Sequence, residues 1–119
     1  IARLTQLDYA RSIALVAVHP GTHEMLGAVR LHADANYETG EYGILVRSDL
    51  KGKGLGRLLM EEILEYAERR GVGEIWGEVL AENKAMLTLV RKLGFTVAPD
   101  FDEPGVMRVR RPLSAATVG

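Results

Sequence analysis

The sequence predicts an α+β protein built on one mixed, mostly antiparallel sheet flanked by helices. Three observations predict it. Three apolar runs, residues 13–18, 25–31 and 41–47, follow one another with short connections, as in an antiparallel meander. A glycine-rich stretch, Lys51-Gly52-Lys53-Gly54-Leu55-Gly56-Arg57, then separates the third run from a long amphipathic segment. After that segment the periods alternate, giving the order strands, helix, strand, helix, two strands.

Length and composition bound the answer. A chain of 119 residues has room for one domain with a modest core. It is 47% apolar and 26% charged, an ordinary balance for a globular protein. The net charge of −1 gives no electrostatic support for coating a nucleic acid. There is no cysteine, which excludes a disulfide scaffold, a zinc–thiolate site and a cysteine nucleophile, and fits a reducing, cytoplasmic setting. No apolar run reaches the length of a membrane span, and no signal peptide is visible. The first residue is Ile1, not Met, so the chain is expected to be part of a longer one. Residues 1–112 are expected to be a single domain and residues 113–119 a frayed tail of mostly small residues.

Residues 1–11 are polar and read as a frayed lead-in or as one wall of a site. Residues 13–18 are an unbroken apolar strand that stops at His19-Pro20-Gly21. Residues 25–31, interrupted by Gly27, pair with it as a hairpin. Residues 34–40 read as a loop and residues 41–47 as the third strand. In residues 55–70, Leu55, Leu58, Leu59, Ile63, Tyr66 and Ala67 share one helical face, and Glu65 with Arg69 is a favourable i,i+4 pair. Gly71 is a natural stop. Residues 74–80 read as a strand, with Ile75, Gly77 and Val79 on one face and Trp76 and Leu80 on the other. Asn83 opens a second helix striped by Met86, Leu89, Val90 and Leu93 and ended by Gly94. Residues 95–98 and 106–110 are the last strands. The loop between them carries Asp100, Asp102 and Glu103, either a solvated turn or a surface that steers a basic partner.

The glycine-rich stretch carries the chemistry. Glycines at a strand-to-helix turn let the backbone approach a ligand in conformations a side chain forbids. A helix starting there aims free N–H groups and the positive end of its dipole into the turn. Lys51, Lys53 and Arg57 add charge of the same sign, so the stretch reads as a pyrophosphate cradle. It is not a P-loop, because no Gly-Lys-Ser/Thr occurs. It is not the dinucleotide fingerprint, because the third glycine position falls on Arg57 or Leu59.

What remains, Lys51-x-x-Gly54-x-Gly56, resembles the Gln/Arg-x-x-Gly-x-Gly/Ala signature of GNAT-superfamily N-acetyltransferases, with Lys51 keeping the charge. Asn83 to Leu93-Gly94-Phe95 resembles the second signature of that superfamily. The resemblance implies the GNAT fold from its second strand onward, with the first strand and first helices not visible. It implies acetyl-CoA as co-substrate and no metal. The pyrophosphate would be held by Lys51, Gly52, Lys53, Gly54, Leu55, Gly56 and Arg57. Asn83 would contact the pantetheine arm, although Asn is also a good plain N-cap. The amides near Leu45 and Val46 are candidates to bind the acetyl oxygen as it gains charge.

Family resemblance puts a general base at Glu41, on the strand entering the cradle; a solvated hairpin carboxylate is the other reading, and Glu38 is a rival. Many relatives carry a Tyr as general acid where this chain has Val90. A valine transfers no proton, so the thiolate leaves without one or uses water. His19 and His23 flank a turn with no third ligand, which argues against a metal site, and His32 follows a strand.

Three stretches narrow the resemblance: Arg3-Leu4-Thr5-Gln6-Leu7-Asp8-Tyr9, Arg30-Leu31-His32-Ala33-Asp34, and Glu41-Tyr42-Gly43-Ile44-Leu45-Val46-Arg47-Ser48-Asp49-Leu50-Lys51-Gly52. They resemble the C-terminal GNAT domain of bacterial Pat-type protein lysine acetyltransferases. In many of these the domain follows an acyl-CoA-ligase-like region, and the target is an active-site lysine of acyl-CoA synthetases. The implied reaction is acetyl transfer from acetyl-CoA to a protein lysine by direct attack. The implied partner is a protein with a reactive lysine, not a nucleic acid or a membrane. A small-molecule amine acetyltransferase and a non-catalytic acetyl-CoA-sensing module are the two alternatives.

Overall fold

The computed structural model of the chain describes residues 3–113. The elements are β1 (Arg3–Asp8), β2 (Ser12–Val18), β3 (Met25–Ala33), β4 (Thr39–Val46), a 3₁₀ turn (Ser48–Leu50), α1 (Leu55–Arg70), β5 (Glu74–Leu80), α2 (Lys84–Lys92), β6 (Thr96–Pro99) and β7 (Val106–Pro112). The seven strands form one sheet in the order β1-β2-β3-β4-β5-β7-β6. Every neighbouring pair is antiparallel except β4 with β5, which is parallel. No helix among the described residues is long and apolar enough to cross a membrane.

The core lies on one face of the sheet. Ile13, Leu31 and Tyr42 stand in one register row, and all three are buried. Leu59, Met60, Ile63, Leu64 and Ala67 of α1 and Leu87 and Val90 of α2 join the same cluster. The opposite face is mixed, with Val16, Ala28 and Leu45 in one row and mostly polar side chains in another. One row across six strands reads Ser12, His32, Glu41, Trp76, Arg110, Thr96.

Helix α1 has the bounds the apolar period predicts. It ends in a left-handed Gly71 (φ 80°), whose N–H reaches the carbonyls of Ala67 and Glu68. Its buried face is turned from the predicted stripe: Met60 and Leu64 are inside, while Leu58 is 38% exposed. The helix lies on β3 and β4, and both flanks of its apolar arc find sheet to cover them. In α2, Leu87 is buried in the same way without belonging to the predicted stripe.

Two corrections fall at the chain ends. The segment read as a lead-in holds β1, paired residue for residue with β2. So a strand does precede residue 13. Its side chains are exposed or half-buried, so its support is the main-chain ladder and it leaves no apolar period to read. Leu113, expected to begin a frayed tail, is 6% exposed, and its N–H donates to the Gly73 carbonyl at 2.8 Å. The rest of the expected tail lies outside the described residues.

Candidate active site

The sheet opens where its two antiparallel halves meet. Strands β4 and β5 pair only at Thr39–Glu74, Gly40–Ile75 and Glu41–Trp76. Beyond these rows the strands part, and a cleft of about 710 Å³ occupies the gap. Its walls come from residues 42–46 of β4, residues 78–80 of β5, the glycine turn and α2.

Ladder phase decides which backbone groups face the gap. Asp34 N–H donates to the Thr39 carbonyl (3.0 Å) and Arg47 N–H to the Leu26 carbonyl (2.9 Å). Antiparallel pairs alternate between bonded and non-bonded. Glu41, Gly43 and Leu45 therefore spend their main-chain groups on β3, and Ile44 and Val46 point theirs into the gap. Of the two amides expected near the acyl oxygen, that of Val46 faces the cleft. The amide of Leu45 is committed to β3, while its side chain, 61% exposed, lines the cleft. On β5 the same phase, set by Leu113 N–H to Gly73 and Ala81 N–H to Gly105 (both 2.8 Å), leaves Glu78 and Leu80 facing the gap. The cleft is thus a slot between two open strand edges.

The glycine turn closes the other end. Gly52 (φ 81°) and Gly54 (φ 91°) are left-handed, a region in which a β-carbon costs roughly 1–2 kcal/mol. Gly54 is the N-cap of α1, and no side chain caps that end. The first bond of the helix is Leu58 N–H to the Gly54 carbonyl (3.0 Å), so the N–H groups ahead of it point out of the helix end. No carboxylate sits in that first turn. Gly56 has ordinary helical backbone, and a β-carbon there would meet Leu89 and Val46 at 3.9 Å. This donor set suits a phosphate group: oriented N–H groups, a dipole of the right sign and nearby lysines.

Among the residues expected to bind pyrophosphate, Lys51, Gly52, Gly54, Gly56 and Arg57 line the cleft. Arg57 also holds Glu61 at 3.0 Å. Lys53 and Leu55 do not line it. Lys53 is exposed on the turn, and the Leu55 side chain packs inward beside Gly27. Just upstream, Asp49 takes Arg47 in a two-pronged contact (2.7 and 2.9 Å), which holds the Asp49 carboxyl below its usual range. Asn83 lines the cleft and caps α2, its Oδ1 accepting from Met86 N–H at 3.1 Å. The two roles expected of it are compatible, because the cap occupies only the oxygen.

Glu41 sits in the last paired row before the opening, on the face opposite the core. It is exposed and does not line the cleft. His32 stands directly across from it on β3, and its Nδ1 is hydrogen-bonded to Ser12 Oγ. Glu38, the rival, lies in the β3–β4 turn, where its N–H binds Asp34. Glu78 does line the cleft. Its carboxyl titrates above the ordinary range, chiefly through the neighbouring Asp100 carboxyl, with desolvation and the charge of Glu103 adding to the effect. Sequence reasoning passed over Glu78 because Asp100 reaches it only through the fold. The alternation of residues 74–80 already placed it on the outer face. Val90 is buried in the core with no exposure. Among the described residues no group of three or more His, Asp or Glu is placed to hold a metal ion.

Residues 2–95 match the Acetyltransferase (GNAT) family. The chain is 42% identical over 57 residues to the [ribosomal protein bS18]-alanine N-acetyltransferase of Escherichia coli K12, covering 48% of this chain and 38% of that one. It is 33% identical over 67 residues to an L-methionine sulfoximine/L-methionine sulfone acetyltransferase of Pseudomonas aeruginosa, covering 56% and 39%. The chain thus spans well under half the length of these curated relatives. Among solved structures, the GNAT domain of S. lividans PAT superposes with a TM-score of 0.77 at 28% identity, covering 92% of this chain and 65% of that one. With the matched segment taking in the split strands, the glycine cradle and α2, the chain belongs to the GNAT acetyltransferase family and has its fold.

Proposed function

We propose that this chain transfers an acetyl group from acetyl-CoA to the side-chain amine of a protein lysine. The observation that carries the reading is the cleft: an uncapped helix end with left-handed glycines at one end, open strand edges along its sides, and a polar row of the sheet beyond. When bound, the co-substrate supplies an activated acyl thioester. The cradle's N–H groups and Lys51 would hold its phosphates. The Ile44 and Val46 main chain would pair with the amide-bearing arm as an added strand does.

The acceptor amine must lose a proton before it attacks. A free lysine titrates near ~10.4, so deprotonation at pH 7 costs roughly 4.6 kcal/mol. A positioned carboxylate recovers part of this, typically ~10²–10⁴ in rate. Glu41 is that base in our reading. Glu41 takes one proton from the ammonium; the neutral amine then attacks, the N–C bond forms as the C–S bond breaks, and the second N–H proton passes through water to the leaving sulfur. A second reading of the base is favoured by one observation: Glu78 lines the cleft and its carboxyl is pushed up, chiefly by the Asp100 carboxyl beside it.

The stretches of sequence that resemble Pat-type protein lysine acetyltransferases support a protein lysine as acceptor, with acyl-CoA synthetases as the target class, and the absence of cysteine suits the cytoplasm as the setting. The names of the curated relatives support two other acceptors, a protein N-terminal alanine and a free amino acid analogue. Mass spectrometry of lysate proteins and metabolites after incubation with this chain and labelled acetyl-CoA tests them together. Label on lysine Nε is expected. Label confined to N-terminal amines or to small molecules overturns the lysine reading, and tight binding without turnover overturns catalysis.

A further inference from the structure

We infer that the ring of Tyr42 is the stop that limits how long an acyl group the cleft accepts. The inference rests on the acetyl-CoA reading above. Tyr42 is the first residue of β4 beyond the last β4–β5 pair, and Gly77 is the first of β5. They mark the end of the slot where the strands are still paired, opposite the glycine cradle, and Tyr42 lines the cleft there. An arm held by its phosphates at the cradle presents its acyl end there.

The wall at that end is stiff. The Tyr42 ring lies over Gly77, filling the space a side chain would take: a β-carbon at position 77 would meet ring atoms Cδ2 and Cζ at 2.7 and 2.9 Å. Phe95 meets the ring edge-on, with centroids 5.9 Å apart and planes at 65°. The residue is 5% exposed although it lines the cleft. Backbone on one side and an aromatic edge on the other block the ring from retreating away from the cleft. A two-carbon acyl group ends short of it, and each further methylene must displace packed atoms. The chemistry recognised is a short acyl thioester, selected by length.

The test is calorimetric binding of acetyl-CoA and butyryl-CoA to the whole chain and to Tyr42→Leu, Tyr42→Ala and Tyr42→Phe, each checked for folding by circular dichroism. The wild type is expected to prefer acetyl-CoA by about tenfold or more, the discrimination one misfitting methylene provides. Tyr42→Phe keeps the ring and should keep the preference. Tyr42→Leu and Tyr42→Ala should bring the two ligands within about threefold, chiefly by tightening butyryl-CoA. Leucine removes less volume and guards against an alanine variant that does not fold. A folded leucine variant with the wild-type preference overturns the stop. A wild type that binds neither ligand overturns the acetyl-CoA reading itself.

Discussion

A side chain at position 77 and the ring of Tyr42 exclude one another, because a β-carbon on Gly77 would lie 2.7 Å from Cδ2 of the ring. Gly77 has no positive φ, so its need for glycine comes from a neighbour on another strand and not from its own backbone. Gly77→Ala is expected to destabilise the protein by about 1–3 kcal/mol, the usual result of overpacking. In the background of Tyr42→Leu the loss should shrink, since the shorter side chain can yield. Urea melts of the two single variants and the double variant measure this coupling.

The Tyr42 hydroxyl is buried with no hydrogen-bond partner among the described residues, and burial pushes its pKa up to about 12. A buried donor without a partner costs roughly 1–3 kcal/mol. Tyr42→Phe is therefore expected to stabilise the protein at neutral pH. The raised pKa gives a second readout. Its stabilising contribution is full below the unfolded value near ~10 and is lost as pH rises through the folded value. Thermal melts from neutral to strongly alkaline pH should show the wild type losing stability faster than Tyr42→Phe above that lower value. Parallel curves would mean that the hydroxyl finds a partner in solution.

Two glycines of the cradle should respond differently. Gly54 is left-handed, so Gly54→Ala should cost roughly 1–2 kcal/mol of stability, and Gly54→Val should also weaken acetyl-CoA by at least about tenfold. Gly56 is helical, with nothing closer than 3.9 Å to an added β-carbon. Gly56→Ala should raise stability by up to about 1 kcal/mol through helix propensity. Melting temperatures and calorimetry on the same samples separate the backbone effect from the ligand effect.

The base is tested by two substitutions on either side of the split. If Glu41 takes the amine proton, Glu41→Gln lowers kcat by about a hundredfold or more at pH 7. Acetyl-CoA affinity should then stay within about threefold. The loss should fade as pH approaches the lysine's own pKa, where solvent does the deprotonation. Near wild-type turnover in Glu41→Gln, with a large loss in Glu78→Gln, would move the base to the β5 wall.

Asp100 gives that alternative its own signature. Its carboxyl is the main reason Glu78 titrates high. With Glu78 as base, the acid limb of the kcat/KM profile should lie above the ordinary carboxylate range, and Asp100→Asn should move it down. The stability sign is opposite to that of a salt bridge: Glu78 contributes below its unfolded pKa, and the contribution is lost as pH rises through the raised folded value. Asp100→Asn should therefore stabilise the protein at neutral pH and make no difference in acid. An acid limb unmoved by Asp100→Asn would remove Glu78 from the chemistry.

The sequence by itself determined the parts written in local signals. The bounds of α1 follow from a repeated apolar period and from Gly71, whose left-handed backbone ends the helix. The cradle was legible for the same reason: Gly52 and Gly54 adopt the conformations only glycine takes readily, and the helix start follows at once. Asn83 as a cap is equally local. Tertiary structure alone decided where the slot opens, because the last row before β4 and β5 part pairs Glu41 with Trp76, residues far apart in the chain. It also decided that Val46 and not Leu45 offers an amide to the slot, since ladder phase depends on partners in β3. The approach of Asp100 to Glu78 and of Tyr42 to Gly77 joins residues distant in the chain, and no short-range period records such pairs. Strand β1 stayed hidden because a main-chain ladder holds it, and backbone hydrogen bonds are the same for every sequence.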